Sequence, residues 1–483
     1  MRLITVVLSL ACLASACSTP PEVTADPTMP LTTTSEEARQ LFEQARDLLE
    51  NIEPDAATQL LDQAIARDPD FAMAHALRAQ AGGFVAERAH LDEAVRLADK
   101  ASPAERHWIL AAQAQADADA PTMKTHLDAL LAAHPDDKHL QLRMGFYHRG
   151  VRGDDATAVT HFKKATELDP SYAPAFNSLG YSQMATGDFT GAEASFKRYI
   201  ELLPDRPNPY DSYAEFLMKR GRFDESIAAY RQALEKDPAF PGSHTGIGTN
   251  LLFKGDFEGA RAAFQQQLSV AASPGDKLAA MRNMAASYLH EGRTADALKT
   301  FDEIGALATA SGLAPQVVGA HYDSTFVLLD AGQADAAAAQ LAAARAAIDA
   351  SSVPDTVKAR QRLVASFMEA RVLAAQGKSN EADAAVAGAA TLVTQRNNPY
   401  EAEQLHEVQG LLALQQGKHA DAAGHLAQAG KADPYVLYQR AVALEGAGQT
   451  AEAAAAYKQV ADWNEGGLGY ALVRAKALAK TTS

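Results

Sequence analysis

The sequence predicts an all-α fold built from stacked helical hairpins. Three observations predict it. Seven positions recur after 34 residues: Phe176, Leu179, Gly180, Gly187, Ala192, Phe196 and Pro204 return as Tyr210, Tyr213, Ala214, Gly221, Ser226, Tyr230 and Pro238. Most of the pattern returns once more as His244, Ile247, Gly248, Gly255, Ala260 and Phe264. Within each unit, apolar residues fall at helical spacing on either side of a glycine, and the unit closes near a proline.

Each element has a mechanical reason. Phe176, Leu179 and Gln183 stripe one face of a first helix. Gly187 leaves that helix, because glycine enters the left-handed region at little cost. Thr190 with Glu193 reads as a capping box that opens a second helix. Gly180 and Ala192 are small where two helices cross, and Phe196 and Tyr199 fill the space beside the crossing. Pro204 ends the second helix. One hairpin cannot bury its apolar face alone, so each unit needs neighbours.

This spacing resembles the tetratricopeptide repeat, a 34-residue helix–turn–helix unit. The resemblance implies a right-handed superhelical α-solenoid whose first helices line a concave groove that holds a protein or peptide partner. In the clear repeats the groove positions are Asn177, Tyr181 and Met184; then Asp211, Glu215, Met218 and Lys219; then Thr245, Thr249, Leu252 and Phe253. One subclass of the family grips a peptide's terminal carboxylate with lysine, arginine and asparagine at these places. Here Asp211 and Glu215 oppose that use. The stretch also resembles repeats joined to sugar transferases, but no transferase domain follows.

The chain begins with an address. Arg2 precedes the apolar run Leu3 to Leu13, which is shorter than the roughly 20 residues a bilayer requires. Residues 1–16 therefore read as a secretory signal peptide. Leu13-Ala14-Ser15-Ala16-Cys17 resembles a bacterial lipobox, which implies lipidation of Cys17. Ala14-Ser15-Ala16 equally satisfies the ordinary signal-peptidase rule at the same bond. Ser18 after the cysteine favours, by the same resemblance, an outer-membrane anchor facing the periplasm. Residues 17–34 carry Pro20, Pro21, Pro27 and Pro30 among threonines and read as an extended, mobile tether. Thr34 with Glu37 then caps the first helix.

Residues 35–275 read as an N-terminal array of about seven repeats. The first uses Pro54 at its turn instead of glycine, and the second carries Gly82-Gly83 inside its expected first helix. After Gly255 the turn glycines are Gly292, Gly332, Gly377, Gly417 and Gly448, so the period stretches and the helices lengthen. Residues 276–465 form this degenerate array of about five repeats. Residues 466–483 supply a helix, Leu468 to Lys480, that caps the last apolar face.

Composition limits function. Both cysteines, Cys12 and Cys17, lie in the first 17 residues, which removes disulfide, thiol and cysteine–metal chemistry from the body. The net charge of −16 repels phosphate backbones and argues against a nucleic-acid partner. Glu403-x-x-His406 has the spacing of a carboxylate-bridged metal site but lacks a second copy, and His406 falls where a core aromatic belongs. His419 and His425 fall on different helix faces. Gly246-x-Gly248 lies inside a helix and lacks a third glycine. Trp108 and Trp463 read as core or cap residues. No catalytic residue, metal or cofactor is assigned.

The reading is a non-enzymatic, lipid-anchored periplasmic scaffold that serves envelope assembly or secretion. Two alternatives stand beside it: a soluble periplasmic binder of glycan or peptidoglycan, and an enzyme assembled in the C-terminal repeats.

Overall fold

The computed structural model describes residues 28–81, 88–396, 398–430 and 433–481, and packs them as two compact units divided between Thr186 and Gly187. Cys17 and the leader lie outside the described residues. Unit 1 holds α1 (Glu36–Glu50), α2 (Pro54–Arg67), α3 (Ala72–Ala81), α4 (Arg88–Leu97), α5 (Pro103–Ala116), α6 (Ala120–Ala133), α7 (Lys138–Phe146), α8 (Asp155–Leu168) and α9 (Ala173–Ala185). A π-helical turn, Tyr147–Val151, continues α7.

Unit 2 holds α10 (Phe189–Leu202), α11 (Pro207–Lys219), α12 (Phe223–Lys236), α13 (Pro241–Lys254), α14 (Phe257–Val270), α15 (Pro274–His290), α16 (Thr294–Ala310) and α17 (Ala314–Asp330). It continues through α18 (Ala334–Ala350), α19 (Asp355–Ala375), α20 (Ser379–Arg396), α21 (Pro399–Gln415), α22 (His419–Leu426), α23 (Pro434–Gly446), α24 (Thr450–Ala461) and α25 (Leu468–Thr481).

The fold class is an all-α solenoid of stacked hairpins. In unit 1 each of α1, α3, α5 and α7 packs on the helix that follows it, and in unit 2 the pairing runs from α11 with α12 to α23 with α24. No described helix is long and apolar enough to cross a membrane. The repeat positions form the core: Ala158, Phe162, Ala192, Phe196, Ala260, Phe264, Ala297 and Phe301 are all buried to 1% exposure or less. The close crossings are real. A methyl group added at Gly145 or at Gly248 would stand 2.3 Å from the ring of Phe162 or Phe264, at the same place in two hairpins. The expected turn glycines, from Gly187 to Gly448, all have positive φ. Where the first and third hairpins lack a turn glycine, Ile52 (φ 66°) and Ala118 (φ 56°) adopt that conformation instead.

Several local expectations are corrected. The second helix after Gly187 is capped by Asp188, not by Thr190: the Asp188 side chain accepts from the Gly191 amide. Glu193 is then free of capping and pairs with Tyr213, Lys197 and Arg222. The first helix is capped by Ser35 and not by Thr34. Gly82-Gly83, expected inside the first helix of the second repeat, lies outside the described residues.

The end of the tether is docked, not mobile. Met29 and Leu31 are buried against unit 1. The Met29 amide donates to Asp137 (2.7 Å), the Thr32 amide to Glu105 (2.7 Å), and the Thr33 hydroxyl to Asp68 (2.5 Å). Asp137 caps the start of α7, Glu105 lies in the first turn of α5, and Asp68 closes the end of α2. A short extended segment with two apolar side chains thus ties three hairpins together.

The last helix does more than cap. α25 packs on α24, as a terminal cap should, but also folds back onto α15, α23 and α17. Tyr470, Val473 and Ala477 are fully buried in one cluster with Met218, Leu252 and Phe253.

Candidate functional site

The first helices of unit 1 enclose a pocket of about 430 Å³. Helical periodicity delivers its lining. α7 contributes His139, Leu142, Arg143 and Phe146, and α9 contributes Pro174, Asn177, Ser178 and Tyr181, both at i, i+3, i+4, i+7. Arg46, Leu49 and Glu50 come from α1, Leu77 and Gln80 from α3, and Trp108 from α5.

The polar groups in this pocket are unusual because so many lack partners. Buried polar atoms in folded proteins are almost always hydrogen-bonded. Among the described residues, fifteen buried side-chain nitrogen or oxygen atoms have no partner, and seven of them line this pocket. They are Arg46 Nε, Glu50 Oε2, Gln80 Nε2, Trp108 Nε1, Arg143 Nε and Nη2, and Asn177 Oδ1. Trp108 and Asn177 are each only 8% exposed.

Arg143 is the centre of the electrostatics. Its guanidinium lies 4.2 Å from the Trp108 ring centroid, a cation–π contact. Burial is the one cause acting on it, and brings its pKa down to about 10. Arg149 lies over the Tyr181 ring at 5.2 Å and 3.8 Å from Asp155. Glu50 Oε1 is held by His139 Nδ1 at 2.8 Å, and the Tyr172 hydroxyl reaches the same nitrogen at 3.0 Å.

The mouth is apolar and strained. Ile52 lines it at φ 66° with 61% of its surface exposed. A β-branched residue is a steric outlier there. Phe146, 47% exposed, stands where α7 passes into the π-helical turn. Strained backbone and single π-turns both cluster at functional sites.

The sequence-chosen groove residues separate into two sets. Asn177 and Tyr181 line the pocket, and Met184 follows on α9. The other eight belong to unit 2, where the C-terminal segment occupies that side of α11 and α13. Phe253 meets Tyr470 edge-on at 5.7 Å, and the Arg474 side chain donates to the Phe253 carbonyl at 3.2 Å. Lys219 pairs with Glu215 at 3.0 Å and with Glu465 at 3.6 Å. A methyl group added at Gly466 would stand 3.6 Å from Thr249. Met218 and Leu252 lie in the same cluster as Tyr470, and the Thr245 hydroxyl donates to the Pro241 carbonyl. Asp211 accepts from Ser243 at 2.7 Å, and burial raises its pKa to about 6.

The scattered histidines also gain a pattern. Nδ1 of His75 lies 3.2 Å from Nδ1 of His90, and the same contact joins His107 to His126 (2.9 Å) and His406 to His425 (3.1 Å). In each pair the two rings meet across a hairpin, and the tautomer sets which nitrogen donates. Among the described residues, no group of three His, Cys, Asp or Glu side chains is gathered for a metal ion.

Comparison with known proteins adds the family. A tetratricopeptide repeat model matches residues 144–207 and 245–311, and two further models of the same description match 211–241 and 435–462. No curated protein matches the chain. Similar solved structures include a thermophilic tetratricopeptide repeat protein of Thermus thermophilus, at 20% identity, covering 40% of this chain and 99% of its own, with a TM-score of 0.33. A tetratricopeptide repeat protein of Parabacteroides merdae has 13% identity and covers 56% of this chain and 92% of its own, with a TM-score of 0.34. MamA of Desulfovibrio magneticus has 18% identity and covers 35% and 94%, with a TM-score of 0.31.

Proposed function

We propose that this chain, which carries tetratricopeptide repeats, is a non-enzymatic adaptor that holds a segment of a partner protein in the pocket of unit 1. The observation that carries this reading is the convergence of seven unpartnered buried polar atoms on one concave, part-apolar surface. Leaving a buried donor or acceptor unsatisfied costs about 1–3 kcal/mol each, and an incoming amide chain would recover much of that. Asn177 and Tyr181 are contact residues in this reading, with Met184 beside them. Met218, Lys219, Thr249, Leu252 and Phe253 would meet a partner only after the C-terminal segment left them, and Asp211, Glu215 and Thr245 stand beside them on α11 and α13.

A peptide suits the pocket better than a sugar. A glycan stacks on open aromatic faces, whereas the Trp108 face is taken by Arg143. The cellular setting rests on the leader alone: export, lipidation of Cys17, an outer-membrane anchor facing the periplasm, and service to envelope assembly or secretion.

The test is site-specific photocrosslinking in native membranes, with a benzoylphenylalanine at Tyr181 and, as control, at the exposed Tyr400. The reading expects one dominant protein adduct from position 181, lost when Ile52→Asp places a charge at the mouth. Equal adducts from both positions would contradict it. Cys17→Ala should release the chain from the membrane fraction.

A further inference from the structure

The unpartnered atoms of the pocket are not balanced. Arg46 Nε, Trp108 Nε1 and Arg143 Nε and Nη2 belong to groups that can only donate hydrogen bonds. Only Glu50 Oε2 and Asn177 Oδ1 are open acceptors among the seven. A pocket with this excess of donors fits an acceptor-rich occupant.

The charge points the same way. Arg46, Arg143 and Arg149 face the pocket, against Glu50, with Asp155 beside Arg149. Arg149 has Asp155 beside it and Arg46 has Asp47, so Arg143 is the lining arginine on which no acidic group acts, which matches a single carboxylate and falls short of a phosphate dianion. The chain as a whole carries −16, so a partner with a long acidic run is repelled at a distance. Around this charge the lining is aliphatic and aromatic: Leu49, Ile52, Leu77 and Phe146.

Resting on the adaptor reading above, we propose that the occupant is an extended peptide segment bearing one acidic side chain beside an aliphatic or aromatic one. The carboxylate pairs with the open edge of Arg143, and the neighbouring side chain lies on Ile52 and Phe146. Trp108 Nε1 serves a peptide carbonyl and Asn177 Oδ1 a peptide N–H. Arg143 thereby sets specificity: its buried charge, compensated in the free protein only by the Trp108 ring, gains its anion on binding.

The test selects binders from a displayed library of random twelve-residue peptides on the purified full-length chain, with Ile52→Asp as counter-selection. The strongest binder is then made N-acetylated and C-amidated, alongside its Glu→Gln or Asp→Asn form and its free-acid form. Fluorescence polarisation gives each affinity. The acid-to-amide change is expected to weaken binding about tenfold, and Arg143→Gln to erase that difference. Arg143→Lys keeps the charge but loses the planar fork, so part of the preference returns. Equal affinity of acid and amide forms overturns the proposal while leaving the pocket as the docking site. Binding only by the free-acid form also overturns it, because the terminus would then be the recognised group. If no selected peptide is sensitive to Ile52→Asp, the adaptor reading itself fails. Should Arg143→Gln not fold, the swap on the peptide still decides.

Discussion

The Tyr470 ring meets the Phe253 ring edge-on at 5.7 Å across 217 positions of sequence, so the end of the chain fills the groove that the clearest repeats create. Tyr470 is completely buried. Tyr470→Ala should cost about 3–5 kcal/mol, the range for removing a large buried side chain. Trp463 packs half-buried against the same cluster and is one of two tryptophans in the chain. In a Trp108→Phe background its fluorescence follows unit 2 through a urea titration, and the midpoint should fall accordingly.

His290 sits against this same contact, 6.1 Å from Phe253 and 6.2 Å from Tyr470. Burial first, and then the charge of Arg474, lower its pKa to about 4. The unfolded chain therefore binds a proton near pH 6.5 that the folded chain refuses until about pH 4. The stability this group contributes is complete above pH 6.5 and declines as pH falls toward 4. By pH 5 the loss is about 2 kcal/mol. Asp211 and Asp323, both raised to about 6 by burial, act in the opposite direction over that range. The wild type should therefore lose about 2 kcal/mol relative to His290→Phe between pH 7 and pH 5, measured by urea unfolding at each pH.

Two classes of helical glycine should respond with opposite sign. Gly248→Ala drives a methyl group into the Phe264 ring and should destabilise by about 1–3 kcal/mol. Gly319, within α17, has nothing within 4 Å of an added methyl group. Gly319→Ala should stabilise by about 0.5–1 kcal/mol. Paired thermal melts give both signs at once.

Ile52 trades stability for exposure. Ile52→Gly relieves the steric cost at φ 66° and should raise stability by about 1 kcal/mol, allowing for glycine's larger unfolded-state entropy. Peptide affinity should fall in the same variant, because the apolar side chain at the mouth is gone. A gain in stability with unchanged affinity would remove Ile52 from the site.

The hairpins, turn glycines and close crossings were legible in the sequence because each is local. Gly187 and Gly255 are read from their own helices, and Ala192 and Phe196 from spacing within one unit. The cap of α10 was misread because Asp188 and Thr190 are both good caps, and only the observed start of the helix decides between them. The pocket was half legible. Asn177 and Tyr181 follow from repeat position, but Arg143, Trp108 and Ile52 lie in irregular repeats where register is weak. Their signal was the mixed stripe His139, Leu142, Arg143 and Phe146, which is too polar for a core face. The filling of the second groove was not legible. It depends on where Gly466-Gly467 turns the chain, and a helix that caps and a helix that folds back share one amphipathic pattern.

The central claim is that the groove of unit 1 is open to a partner while that of unit 2 is taken by the chain's own end. Hydrogen–deuterium exchange on the full chain, with and without a selected peptide, tests it most directly. The account expects new protection in residues 46–52, 139–149 and 177–181, with no change in α11, α13 or α25. Protection of α11 and α13 together with faster exchange in residues 468–481 would contradict it, since the peptide would then have displaced the C-terminal helix.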